Sequence, residues 1–181
     1  ETNKGYGGAL QTIFATAREL GAEELVIIDA DGQHNPGDIP RLLAELRAGN
    51  DVVFPAADPQ SGFGAYGKRA IEAVLAGGTF DAGVLVADPH LKVAGARSGS
   101  AAAEPRYRGK RIAVVVPAYN EEAYIAKTVV GAARHADAVL VVDDGSVDET
   151  AAIAEALGAI VVCHETNKGY GGALQTIFAT A

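Results

Sequence analysis

The first 17 residues, ETNKGYGGALQTIFATA, stand again without one difference at 165–181. Repeat architectures usually have much shorter periods and diverged copies. Identity over this length points instead to one segment counted twice, and two copies must then compete for one place in a fold. The chain contains no Met. It starts inside one motif and stops inside a helical pattern. A reading frame followed around a closed loop of DNA would give this overlap, with a deliberate circular permutant or a slice of a tandem array as alternatives. In each case the order is expected to be rotated, with its natural beginning near Arg111.

Read from there, apolar runs alternate with helical patterns. Residues 112–116 (IAVVV) form a continuous β-branched run, as in a strand buried on both faces. Asn120, with Glu121 and Glu122 behind it, reads as a helix cap and an acidic first turn. Ile125, Val129 and Ala132 or Ala133 then recur at helical spacing. Residues 138–142 read as a second strand. Ser146 and Glu149 make a capping-box pattern for a second helix, lined inwardly by Ile153 and Leu157 and ended by Gly158. Residues 159–163 read as a third strand. Leu10, Ile13, Phe14 and Ala17 predict an amphipathic helix that runs to Leu20 and stops at Gly21, before a fourth strand at 25–28. Asn35 and Pro36 open another helix, with Leu42, Leu43 and Leu46 inward and Gly49 at its end, before a fifth strand at 51–54.

This alternation predicts an α/β fold on a parallel sheet with right-handed crossovers. The second half of the core falls at 1–54 and the first half at 111–181, the latter including the repeat. Residues 55–110 join them, with a helix-like stretch at 68–75 and a linker around SGSAAAEP.

Charge and cysteine usage narrow the function. A formal charge of −8 argues against a general nucleic-acid binder. It leaves nucleotides open, because backbone N–H groups and a metal can hold phosphate without Lys or Arg. The single cysteine, Cys163, excludes an internal disulfide and reads as a small buried strand residue. A reducing, cytoplasmic setting fits. No apolar run approaches the ~18 residues that would suggest a membrane span.

Four segments carry chemistry, each at the carboxyl end of a predicted strand or in a glycine-rich turn, where open α/β sheets bind ligands. The segment at 114–122 is VVVPAYNEE; without a G-x-G-x-x-G pattern it is no dinucleotide cradle. The segment at 141–150 is VVDDGSVDET. Its adjacent Asp143 and Asp144 suit a nucleobase N–H or ribose hydroxyl, or equally the backbone groups of their own turn. Asn167-Lys168-Gly169 and the glycines after it, repeated from Asn3, let backbone approach a ligand closely. At 26–34, VIIDADGQH places Asp29 and Asp31 in alternation after a buried strand. Both can turn to one hard divalent cation, with the amide oxygen of Gln33 beside them. For a lone His such as His34, a structural or solvated role outweighs ligation.

Together, in rotated order, these segments resemble the family 2 glycosyltransferases with a GT-A fold, and most of all the branch that makes dolichyl- or polyprenyl-phosphate mannose or glucose. The resemblance covers 111–164 and 1–54. It implies a Rossmann-like nucleotide-sugar-binding core, here circularly permuted and incomplete. It implies that Pro117, Ala118, Tyr119 and Glu121 border the nucleoside, that Asp143 and Asp144 hold base or ribose, and that Lys168, Gly169, Asp29 and Ala30 line the donor site. Asp29, Asp31 and Gln33 would bind Mg²⁺ or Mn²⁺, and Asp31 and Gln60 would stand at the reacting centre. The implied reaction moves a hexose from a GDP-mannose or UDP-glucose type of donor to a lipid phosphate, at a membrane surface, with inversion.

The chain also departs from that pattern. In DPQSGFGAY, at 58–66, Gly64 stands where the family's Q-S-G-F-R-A-Y segment has Arg, a natural phosphate contact. The stretch before it is shorter than the family's. A fragment that binds nucleotide sugar without transferring it is therefore the alternative. Of the two repeated copies, the N-terminal one is expected to take the slot between third and fourth strands. Leu174, Ile177 and Phe178 are then expected to be exposed, or packed on another subunit of a swapped homo-oligomer.

Overall fold

The computed structural model describes residues 13–15, 17–57, 62–76, 80–81, 84–85, 90–96 and 111–163. In chain order these carry helical residues at 13–15 and 17–19 (α1), β1 (Glu24–Ile27), a 3-10 turn (Pro36–Asp38), α2 (Ile39–Arg47), β2 (Val52–Pro55), β3 (Gly64–Gly67) and α3 (Lys68–Leu75). There follow β4 (Phe80–Asp81), β5 (Val84–Leu85), β6 (Val93–Ala96), β7 (Ile112–Ala118), α4 (Ile125–Ala133), β8 (Ala138–Asp143), α5 (Thr150–Ala156) and β9 (Ile160–Cys163). Seven strands form one sheet in the order β6-β2-β3-β1-β7-β8-β9, and β4 pairs with β5 apart from it.

All seven residues of β7 are buried. A strand apolar throughout needs cover on both faces, and alternate side chains supply two cores. On one face Val26, Ile28, Val114 and Val116 pack with Leu42, Leu43, Ile125 and Val129 from α2 and α4. On the other, Leu25, Ile27, Ala113 and Val115 pack with Ile13, Phe14 and Ala17 of α1 and with Ile71 and Val74 of α3. Ile13, Phe14 and Ala17 are fully buried. The Phe14 ring stands edge-on to Tyr66, centroids 5.0 Å apart at 82°. The N-terminal copy thus fills a core slot, as expected. Leu10, the C-terminal copy with Leu174, Ile177 and Phe178, and the linker at 97–110 lie outside the described residues.

β1, β7, β8 and β9 run parallel, with Ile27 opposite Val115 and Ala118 opposite Asp143. β2, antiparallel to β3, runs in the same direction as these four, so all five predicted strands share one direction. The predicted parallel sheet is broken by β3, which lies between β1 and β2 and is antiparallel to both. The sequence pattern missed β3 because GAYG has two glycines and no β-branched residue. Burial of Ala65 and Tyr66 holds it in the sheet instead.

Most helix ends follow their signals. Asn35 Oδ1 accepts the Gly37 N–H at 3.0 Å, and Gly21, Gly49 and Gly158 take positive φ of 67°, 107° and 84° at their helix ends. Two predicted caps do not form. α4 starts at Ile125 behind Tyr124, and α5 starts at Thr150 behind Glu149, neither with a side-chain cap. Asn120 and Ser146 are engaged with each other's loops instead. Leu157, expected inward, follows the last residue of α5 and is exposed. Cys163, expected buried, is exposed because β9 is the edge strand. Among the described residues no helix is long and apolar enough to cross a membrane.

Candidate functional site

Because β1, β7 and β8 are parallel neighbours, their carboxyl ends emerge side by side. This edge carries Asp29, Ala30 and Asp31 after β1, Pro117, Ala118 and Tyr119 at the end of β7, and Asp143 and Asp144 at the end of β8.

The loop after β1 is built around its two carboxylates. Asp31 Oδ1 accepts the Gln33 N–H at 3.0 Å, closing an Asx turn. Gly32 follows with φ 75°, a conformation that favours glycine. Asp29 Oδ2 lies 3.9 Å from His34 Nε2, and the His34 ring packs on Phe63 with centroids 5.0 Å apart. Gly62, just before β3, backs onto the same carboxylate: a Cβ there would lie 2.8 Å from both Asp29 oxygens. The antiparallel course of β3 thus returns the later motif to the edge of the first.

The loops after β7 and β8 are zipped together by side chain to backbone bonds. Asn120, in the left-handed region at φ 55°, receives the Val147 N–H on its Oδ1 at 2.9 Å. Its own N–H donates to Ser146 Oγ at 2.8 Å. The Glu121 N–H donates to Thr150 Oγ1 at 2.8 Å, and the Glu122 N–H to Asp148 Oδ2 at 3.1 Å. Asp143 is turned to its own loop, accepting the Ser146 N–H at 3.1 Å and the Ser146 hydroxyl. Asp144 is buried, and its N–H donates to the Ala118 carbonyl at 2.9 Å.

The electrostatics follow from that placement. Partial burial, and then repulsion from Asp31, Asp148 and Asp29 in that order, push the Glu121 carboxyl above the usual glutamate range. Asp148 also loses some hydration, which opposes ionisation. The hydroxyl and N–H of Thr150 and the N–H of Glu122 outweigh that loss and hold it below the usual aspartate range.

Of the predicted site residues, Asp29, Asp31 and Glu121 share one electrostatic neighbourhood. Pro117, Ala118 and Ala30 are at the edge, Pro117 and Ala118 as buried backbone of β7. Tyr119 is 45% exposed, its ring available to a planar ligand. Gln33 is exposed, and among the described residues no three His, Cys, Asp or Glu side chains form a ready metal-ligand group. Gln60, Lys168 and Gly169 lie outside the described residues. Sequence reasoning missed the bridging roles of Asp148 and Thr150, although both stand in the quoted D-D-G-S-x-D-x-T pattern. It missed Tyr124 as well, for which a lone Tyr before a helix gives no signal.

The family model for glycosyl transferase family 2 matches residues 1–93 and 113–181. An uncharacterized protein of Methanocaldococcus jannaschii is 48% identical over 66 residues, 36% of this chain and 27% of that protein. A UDP-N-acetylglucosamine–dolichyl-phosphate N-acetylglucosaminyltransferase of Methanococcus voltae is 50% identical over 46 residues, 25% of this chain and 18% of its own. An undecaprenyl-phosphate mannosyltransferase of Micrococcus luteus is 42% identical over 52 residues, 29% of this chain and 21% of its own. Each match spans about a quarter or less of the relative's length. No solved structure gives a significant match. The family match takes in both strand-end loops, the D-A-D loop and the returning Q-S-G-F segment, and on it the chain belongs to glycosyl transferase family 2.

Proposed function

We propose that the chain binds a GDP- or UDP-hexose and a divalent cation at the carboxyl edge of β1, β7 and β8, as the donor half of a transferase acting on polyprenyl or dolichyl phosphate. The observation that carries this reading is the meeting of Asp29, Asp31 and Glu121 in one neighbourhood, beside the exposed Tyr119. Like charges gathered at one edge repel one another unless a cation offsets them. Their oxygens suit a hard divalent ion whose remaining positions are taken by substrate phosphate. Asp29 and Asp31 would hold Mg²⁺ or Mn²⁺, with the Gln33 amide as a further donor. When bound, such an ion offsets the charge that builds on a departing diphosphate.

The protein's own share is positional. Tyr119 offers a ring beside the nucleoside position. The zipped loops fix Glu121 and Asp144 relative to the D-A-D loop. A phosphate acceptor has a second pKa of about 6 and is largely ionised at neutral pH, so it needs orientation more than a strong base. The names of the polyprenyl-phosphate relatives fit displacement by such an acceptor, and a single displacement would invert the sugar. The pairing of β1 with β7 supports the rotated order, since the first and last thirds of the chain then build one sheet.

The binding half of this reading is tested by calorimetry of GDP and UDP with Mn²⁺. Asp29→Ala and Asp31→Ala are each expected to weaken binding at least tenfold, because each removes a charged ligand. Equal affinity in wild type, both variants and chelator would sink it. Radiolabelled sugar transfer to polyprenyl phosphate tests the rest.

A second reading, donor binding without transfer, is favoured by position 64. A Cβ at Gly64 would meet the Phe54 ring at 3.0 Å and the Tyr66 hydroxyl at 3.2 Å, so the Arg of the related segment would fit only if both rings shifted. Glycolipid product from the purified chain would exclude this second reading.

A further inference from the structure

We propose that Thr150 and Asp148 are positioning residues for the donor nucleotide: a buried hydroxyl and the carboxylate beside it fix the backbone at Glu121, and so set where the Glu121 side chain stands against Asp29 and Asp31. This rests on the donor-binding reading above.

Thr150 is fully buried at the start of α5. Its Oγ1 accepts the Glu121 N–H at 2.8 Å and donates to Asp148 Oδ1 at 2.5 Å. The Thr150 N–H donates to the same Oδ1 at 3.0 Å. The other Asp148 oxygen takes the Glu122 N–H at 3.1 Å, and Glu122 Oε2 accepts the Glu149 N–H at 3.3 Å. Two successive peptide units of the β7 loop therefore hang on one Thr–Asp pair from the β8 loop. The direction of the relay is fixed, because the single hydroxyl hydrogen is committed to Asp148 and leaves a lone pair toward Glu121. A threonine serving only its own helix would cap that helix. Thr150 is instead the first residue of α5 and spends its hydroxyl across the loop boundary.

The position is sensitive for a geometric reason. Asn120, immediately before Glu121, is the non-glycine residue with positive φ among those described. Its own two bonds, to Ser146 and Val147, fix one side of the Glu121 peptide, and Thr150 fixes the other. With the Thr150 hydroxyl lost, the Glu121 N–H loses its partner, while its carbonyl stays bound by the Tyr124 and Ile125 N–H groups and the next N–H by Asp148. Repulsion from Asp31 and Asp29 then acts on a side chain whose backbone has lost one of its anchors.

The test is calorimetry of GDP and UDP with Mn²⁺ on the full chain, comparing wild type with Thr150→Val, Thr150→Ser, Glu121→Gln and the Glu121→Gln/Thr150→Val double variant. Valine keeps the shape and removes the hydroxyl. Thr150→Val is expected to weaken nucleotide binding about tenfold, Thr150→Ser to stay within about threefold of wild type, and Thr150→Val to add little once Glu121 is Gln. Thr150→Val binding as wild type does, or losses that simply add in the double variant, would overturn the proposal. Should Thr150→Val fail to fold, Asp148→Asn must give the same Glu121-dependent loss, and an additive loss overturns it equally. A wild type that binds neither nucleotide removes the donor reading and this proposal together. Wild-type binding with additive losses removes this proposal alone.

Discussion

The ring of Tyr124 lies on the backbone of Gly32, so that a Cβ built on Gly32 would come within 2.7 Å of Tyr124 Cδ1. The loop that presents Asp29 and Asp31 is therefore held down by the residue that precedes α4. Two independent costs meet any side chain at position 32: the left-handed φ of 75° and the overlap with the ring. Gly32→Ala is expected to lose about 2 kcal/mol in urea unfolding. Adding Tyr124→Ala should recover the overlap and leave the conformational cost. No recovery would mean that the ring does not seat this loop.

Phe14 and Phe178 are the same residue of the same repeated segment, yet Phe14 is fully buried against Tyr66. Phe14→Ala is expected to cost about 3 kcal/mol or more, as truncation of a buried aromatic does, and Phe178→Ala less than about 1 kcal/mol. Equal losses in parallel denaturant titrations would show that the copies share the slot.

Gly64 faces the Phe54 ring from within the sheet. Restoring the family's arginine by Gly64→Arg is expected to destabilise the fold by about 3 kcal/mol rather than create a phosphate contact. A Gly64→Arg protein that melts as the parent does and transfers sugar would show that the strand can swing to admit the side chain.

The acidic edge also sets a pH dependence. The folded Glu121 carboxyl has a pKa above its unfolded value, so the native state binds this proton more tightly. Its contribution to stability is therefore favourable at low pH and declines as pH rises from the unfolded through the folded pKa. Glu121→Gln removes that loss and is expected to melt above the parent at pH 7, with the gap closing near pH 4. Asp148 works in the opposite sense: its depressed pKa gives stability present above the ordinary aspartate range and lost as pH falls through the folded value. A Glu121→Gln advantage that is constant across this range in calorimetric melts would contradict the assignment.

Strands were legible wherever burial on both faces forced a continuous apolar run, as in Ile112–Ala118 and Ala138–Asp143. Helix ends were legible where glycine was required by backbone conformation, as at Gly21 and Gly158. β3 was not, because its neighbours and not its composition keep it in the sheet. The acidic residues of the edge were legible as types, but their division of labour was not. Asp143 and Asp144 are adjacent in sequence and both buried, and only the fold turns the first toward Ser146. Asn120 and Ser146 matched capping patterns because the side chains that cap helices also tie loops. Which partner they took depended on two parallel strands bringing their loops within reach.

The reversal at β3 has a consequence for how such a sheet can change over time. Chain leaving β2 at Pro55 re-enters the sheet through Gly62, whose backbone stands beside the Asp29 carboxylate. Residues added ahead of Gly62 would lie outside every strand pairing, yet would join the chain next to the D-A-D loop. The entry to β3 is thus a place where added sequence would meet the acidic edge. A change of length at that loop alters what faces the acidic edge while the strands stay still.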